Sequence, residues 1–257
     1  MSNGNDLKLL HSELLAMAKD IDAICEADSI EYSLTGGSLL GAIRENGFIP
    51  WDDDIDIMVS RRNYTLLCKA IAASDKYEMG RGPWLQHIKP VTFRSETDPY
   101  IDVFITDNLP GNPLLASLKI FILRLLQGML KEQVEYEGFS AFYRICILMT
   151  HLLGKLFTRR FKLKIYDRVS QYGNGHVSEY ISITNDAFAL LTKKHRAEIM
   201  SSFEKHPFED TGLMVSSKAR EYLETRYGPD YMTPPPESER VAQHGDRPKV
   251  EDERIGI

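Results

Sequence analysis

Cysteine is scarce in this chain, tryptophan scarcer, and a surplus of positive charge is missing altogether. The 257 residues include three cysteines and two tryptophans and carry a formal net charge of −6. Cys25, Cys68 and Cys146 are odd in number and widely separated. They match no zinc spacing and give no disulfide framework, which points to buried thiols in a reducing compartment. An acidic chain makes a poor partner for a polyanion, so general nucleic-acid binding is not expected. No run of about 18 uncharged apolar residues occurs, and no membrane span is expected. The opening MSNGNDLK lacks the basic-then-apolar pattern of a secretory signal, so the expected location is cytoplasmic.

What is present is ordinary in bulk. Apolar residues make up 43% and charged residues 26%, typical of a globular protein with room for a substantial core. Leu7, Leu10, Leu14, Met17, Ile21 and Ile24 recur at helical spacing and predict an amphipathic helix over residues 5–27. Residues 31–35 suit a short strand. Ser38 is a good N-cap for a helix through Arg44. Strands are expected around residues 55–59, 84–93, 100–105 and 180–184, with a turn over 107–111, a helix over 61–73 and another over 218–226. Residues 113–172 turn to long helical segments. The expected class is α/β (α+β), with a catalytic core over 1–110 and a helical region over 111–257 whose C-terminal segment returns to the site.

The chemistry concentrates in GGSLLGAIRENGFIPWDDDIDIMV, residues 36–59. Asp54 and Asp56 are two apart at the edge of an apolar strand and project from one face. Asp102 sits alone between Ile101 and Val103, where an unpaired buried charge is costly. Side-by-side carboxylates repel unless a cation neutralises them, and magnesium favours oxygen ligands of this kind together with substrate phosphates. If the two strands are neighbours, three carboxylates converge, and such a cluster can hold two metal ions for an in-line displacement. Gly36, Gly37 and Ser38 supply a glycine turn at a helix start, where free N–H groups attract phosphate. An acidic run by itself is more often a solvated loop, and a Gly-Gly-Ser a plain turn; their combination is informative.

A glycine turn at a helix start, then Asp54-x-Asp56 on a strand, then a lone Asp102 on a later strand resembles the polymerase-β-type nucleotidyltransferase superfamily. The fuller string resembles its LicD branch, the phosphocholine transferases related to fukutin and fukutin-related protein. Tyr100-Ile-Asp102-Val-Phe-Ile-Thr-Asp107 and the C-terminal YGPDYMTPPPESERVAQH, residues 227–244, extend the match. The resemblance implies a small mixed sheet flanked by helices. It also implies a transferase that moves a phospho-alcohol from a CDP-activated donor to a glycan hydroxyl and releases CMP. Asp54, Asp56 and Asp102 would hold magnesium or manganese, two ions in all, with Asp102 also placed to take the acceptor's proton. Gly36, Gly37 and Ser38 would hold the diphosphate, and Arg44, Lys89, Arg94 and Arg240 would partner phosphate, with His244 a further substrate contact. Arg44 equally suits a helix C-terminus, Lys89 and Arg94 a surface, and Arg240 and His244 a polar tail. Two alternatives stay open: a nucleotidyltransferase adding a nucleoside monophosphate to a small acceptor, and a non-catalytic glycan-binding homologue.

Residues 114–164 carry nine Lys/Arg against three Glu, +6 in a chain of net −6. Their apolar segments fit either buried core helices or basic amphipathic helices lying on an anionic bilayer. The second option would bring a lipid-linked glycan acceptor within reach at the inner face of the plasma membrane.

Overall fold

The amphipathic N-terminal segment folds as α1 (Gly4–Ala27), with Leu14, Met17, Ile21 and Cys25 buried. The structure, a computed structural model, describes residues 4–82, 84–92, 98–131 and 141–240. After α1 come β1 (Ser33–Leu34), α2 (Gly36–Glu45), β2 (Ile55–Ser60), α3 (Arg61–Ala72), β3 (Tyr77–Arg81), β4 (Gln86–Pro90) and β5 (Ile101–Asn108). The helices α4 (Pro113–Leu130), α5 (Ala141–Lys155) and α6 (Arg159–Ser170) follow. The chain then forms β6 (Tyr180–Ile183), β7 (His195–Arg196), the hairpin β8 (Phe203–Phe208) and β9 (Thr211–Ser216), and α7 (Ala219–Tyr227).

Local chemistry sets several boundaries. Ser60 caps α3 by accepting from the Asn63 N–H at 3.2 Å, Thr158 caps α6 from Phe161, and Asn112 caps α4 ahead of Pro113. Ser38 is not the cap of α2. Thr35 holds that position in an extended conformation, because Gly36, at φ +55°, turns the chain straight from β1 into the helix.

The sheet is mixed, in the order β1-β2-β5-β4-β3, with β6 on the far half of β5 and β7 beside β6. β2 and β5 run parallel, and the other pairs are antiparallel. The protein is therefore an α+β fold with a mixed sheet flanked by helices. β4 and β6 share one edge of β5, and Asn185 fills the gap between them. Its Oδ1 accepts from the Ile105 N–H at 2.7 Å and its Nδ2 donates to the Val103 carbonyl at 2.8 Å, standing in for a missing strand residue.

The turn expected at 107–111 begins later, since β5 continues through Asn108. Arg61 donates to both oxygens of the buried Asp107 carboxylate, which also accepts from Thr184 and Asn174. Asp107 thus ties the ends of β2, β5 and β6 together.

One core cluster joins α1, the sheet, β8–β9 and α7, and a second lies under α4 and α6. In the second, Lys119 is buried and donates to the carbonyls of Asn108 and Tyr172; burial pushes its pKa down to about 8. Among the described helices, α4 is long and apolar enough to cross a membrane by length and composition alone. Its inner side, however, is packed: Gln127 donates to Tyr166 Oη and to the Asp186 carbonyl.

His195 is buried and stacks on Tyr222 with centroids 4.8 Å apart. Burial, helped by the cations Arg226 and Lys193, pushes its pKa from 6.5 down to about 4. Between those values the unfolded chain binds a proton that the folded chain excludes. Stability present above pH 6.5 is therefore lost as pH falls toward 4, by about 3 kcal/mol in total. His195→Phe, which retains a ring against Tyr222, should flatten the melting-temperature profile across that window. An unchanged profile would assign the loss to other groups.

Candidate active site

Register decides where the carboxylates meet. In the parallel pair β2–β5, Asp56 lies directly beside Asp102, and on the other side of β5 His87 of β4 lies beside Asp102. Neighbouring residues at the same register share a face, so Asp56, Asp102 and His87 point the same way. Asp54, just before β2, joins them. Its carboxylate and those of Asp56 and Asp102 offer oxygens that all lie within 4.8 Å of one another, and all three residues are buried. Asp52, Asp53 and Asp54 form a second such group along the approach to β2. Burial, then the charges of Asp54, Asp102 and Asp52, hold the Asp56 carboxyl well above the usual carboxylate range, and Arg226 acts against the rise. A cluster of this kind has the oxygen donors, and the mutual repulsion, that a hard divalent cation satisfies.

The start of α2 is pressed against the cluster. A Cβ on Gly36 would lie 2.4 Å from Asp56 Oδ2, and one on Gly37 would lie 2.4 Å from Asp52 Oδ2. Ser38 sits inside the first turn, where its hydroxyl accepts from the Asp56 N–H at 2.8 Å. The glycines let a helix N-terminus approach a carboxylate site that any side chain would block. Gly36→Ala is accordingly expected to cost roughly 2–4 kcal/mol in denaturant melts, through the left-handed backbone and the clash. Gly175→Ala, with nothing within 4 Å of its Cβ, is the near-neutral control; equal losses would refute the account.

The remaining expected residues divide. Lys89 alternates with His87 along β4, so it shares the carboxylate face; it is buried, and its ammonium is 3.5 Å from Glu78. Arg44 ends α2, paired with Glu45 at 2.7 Å, while its buried Nη2 has no hydrogen-bond partner. Arg240 lies over Trp51 at 5.3 Å and donates to the Pro235 carbonyl, which brings the tail beside the residue preceding the acidic run. Arg94 and His244 lie outside the described residues.

Three contributors are not picked out by their local sequence. His87 Nδ1 hydrogen-bonds Asp102 Oδ1 at 3.0 Å, and its ring stands edge-on to Tyr100 at 5.4 Å. The alternation Gln-His-Ile-Lys of residues 86–89 was the available signal for a polar face. Tyr222, fully buried on α7, hydrogen-bonds Thr35 Oγ1 at 2.5 Å and the Gly36 backbone, so α7 fixes the start of α2. Arg226, one turn on, pairs with buried Asp186 at 2.5 Å and sets its charge toward Asp56. No local pattern links residues 186 and 226 to 56.

Residues 29–108 match the LicD/FKTN/FKRP nucleotidyltransferase domain. Over 245 aligned residues, covering 86% of this chain and 89% of the relative, the sequence is 27% identical to the lipopolysaccharide cholinephosphotransferase LicD of Haemophilus influenzae. A 40-residue stretch, 16% of this chain and 8% of the relative, is 48% identical to the human ribitol 5-phosphate transferase FKRP, and the same holds for the mouse protein.

Proposed function

We propose that this chain, a member of the LicD family by its domain at residues 29–108 and its similarity to a LicD protein along most of its length, is a phospho-alcohol transferase acting on a glycan. The donor is a CDP-activated alcohol, and CMP is the leaving group. The observation that carries the proposal is the in-register pairing of Asp56 with Asp102, which gathers three buried carboxylates beside the glycine-opened start of α2. The names of relatives that transfer phosphocholine or ribitol 5-phosphate support the phospho-alcohol and the glycan.

Asp54, Asp56 and Asp102 would hold one or two divalent ions. When bound, magnesium or manganese would neutralise the charge on the transferring phosphoryl group and the leaving CMP. The chain's own groups position and relay. The N–H groups of the first turn of α2 beyond Gly36, whose own N–H is held by Tyr222, receive diphosphate oxygens. Asp102 accepts the proton of the attacking glycan hydroxyl, and His87 keeps that carboxylate oriented through Nδ1. Lys89, on the same face, and Arg44, with its unpartnered Nη2, offer positive charge to the phosphates. The acceptor oxygen bonds to phosphorus as the bond to CMP breaks, and holding the two in line is the largest contribution the protein can make.

A thermal-shift panel in magnesium tests the proposal, with CDP-choline, CDP-ethanolamine, CDP-glycerol, CDP-ribitol, CTP and ATP on the wild type and on Asp54→Asn/Asp56→Asn. A ligand at 100 times its dissociation constant stabilises by about 2.7 kcal/mol. Stabilisation by one CDP-alcohol in the wild type alone is the expected result, followed by CMP release with a glycan acceptor. Stabilisation by nucleoside triphosphates alone, with pyrophosphate as product, would transfer the site to nucleotidyl chemistry. Binding of glycan without any nucleotide would leave a non-catalytic module.

A further inference from the structure

The site makes no use of the outer surface of α4, α5 and α6, and that surface is the most apolar part of the described chain. Among the described residues, twelve of the twenty exposed large hydrophobic side chains fall between residues 114 and 161, a concentration that scattered surface leucines do not produce. On α5 they are Ile145, Leu148, Met149, Leu152 and Leu153, a continuous stripe at helical spacing, and Leu156 continues it in the turn that follows. The other side of α5 is occupied. A Cβ on Gly154 would lie 2.4 Å from the Met129 carbonyl, and one on Gly128 would lie 2.9 Å from Thr150, so α4 and α5 are in close backbone contact and the stripe faces out. Leu114, Leu118 and Phe121 extend it along α4. Phe157 and Phe161, stacked at 5.5 Å, extend it to α6.

The rim of this face is cationic. Lys131, Lys155, Arg160, Lys164 and Arg168 are exposed, and Asp167 is the one acidic residue among the described residues of 113–170. The bulk of the molecule is the opposite, since this stretch is positive in a chain of net −6. We propose that the face docks on an anionic lipid bilayer, with the apolar stripe in the interface and the rim cations on the headgroups. Charge complementarity selects this occupant. A second copy packed on the same face would bring two cationic rims together. Insertion of α4 across the bilayer would strip out a helix whose inner side holds Lys119 and Gln127 in hydrogen bonds.

The docking face also adjoins the candidate site. Arg159, at the start of α6, donates to the Gly82 carbonyl at 3.4 Å, and Gly82 lies against the ring of His87. A docked molecule thus holds Asp102 and its neighbours near the membrane surface, where a lipid-linked acceptor presents its glycan; this last step rests on the transferase proposal.

Flotation of the full chain with vesicles tests the docking, using phosphatidylcholine alone and phosphatidylcholine mixed with phosphatidylglycerol, at low and high salt. Flotation is expected with the anionic vesicles alone and should fall as salt rises. Leu152→Asp/Leu156→Asp should abolish it, and Arg160→Glu/Lys164→Glu should lower the partition coefficient by roughly tenfold or more. Both variants should keep the wild-type thermal shift with the CDP-alcohol, so failure of docking and failure of the transferase proposal read out separately. Absence of flotation at low salt, or flotation retained by Leu152→Asp/Leu156→Asp, would overturn the inference. So would a dimer in light scattering that the same variant dissociates, without vesicle binding, because it would assign the face to a second copy.

Discussion

Asp56→Asn is expected to lower turnover by roughly three orders of magnitude while raising the melting temperature of the metal-free protein. The two effects run in opposite directions for one reason. Asp56 is buried among Asp54, Asp102 and Asp52, and its carboxyl is held well above its usual range, 3.8, by burial and by those charges. The folded chain therefore retains a proton that the unfolded chain would release. That contribution to stability is fully present at acid pH, below the unfolded value, and declines as pH rises through the raised value. Asn removes the titration and the repulsion and keeps the backbone N–H donated to Ser38, so its profile should be flat where the wild type declines. Magnesium should reverse the order by stabilising the wild type much more than the variant. Melting curves with and without magnesium, beside CMP release, check all of this. A metal-free variant less stable than the wild type at neutral pH would make Asp56 a structural residue instead.

Arg226→Met should cost roughly 3–5 kcal/mol of stability, because it leaves the Asp186 carboxylate buried without its cation. The pair is almost sealed, with side-chain exposures of 9% and 4% at an N–O distance of 2.5 Å. Asp186 also sits at a junction: its carbonyl accepts from Gln127 of α4 and its carboxylate from the Ala187 N–H. Losing the cation should loosen α7, and with it the Tyr222 hydroxyl at the start of α2. Asp186→Asn/Arg226→Met should recover part of the loss, since replacing both charges removes the unpaired one. Urea denaturation of the two single variants and the double closes the cycle. A loss under about 1 kcal/mol for Arg226→Met would mean that the pair behaves as a solvated surface bridge.

The candidate site was legible to the extent that its parts are local. Asp54 and Asp56 are separated by the period of a strand, Asp102 is embedded in an apolar run, and Gly36-Gly37 opens a helix; each is visible within a few residues. The same locality made α1, α3 and β2 readable, because burial of one face imprints its period on the sequence. Ser38 was misread as a cap because its type suits that position, whereas the positive φ of Gly36, a property of the folded backbone, starts the helix earlier. The hairpin β8–β9 was missed because Phe-Glu-Lys-His-Pro-Phe, residues 203–208, shows no alternation and contains a proline. Its register with β9 supplies what its composition does not.

The sequence by itself determined which residues could do chemistry: three carboxylates, a glycine turn and a cationic, apolar helical middle. Tertiary structure alone decided that Asp56 and Asp102 stand side by side, that His87 backs Asp102, and that α7 brings Tyr222 and Arg226 to the start of α2 and to Asp56. It also decided that the stripe on α5 faces out. Strand register, and packing between residues separated by more than a hundred positions, are set by burial of the whole core and by pairing of every buried polar group. No window of the sequence contains that information.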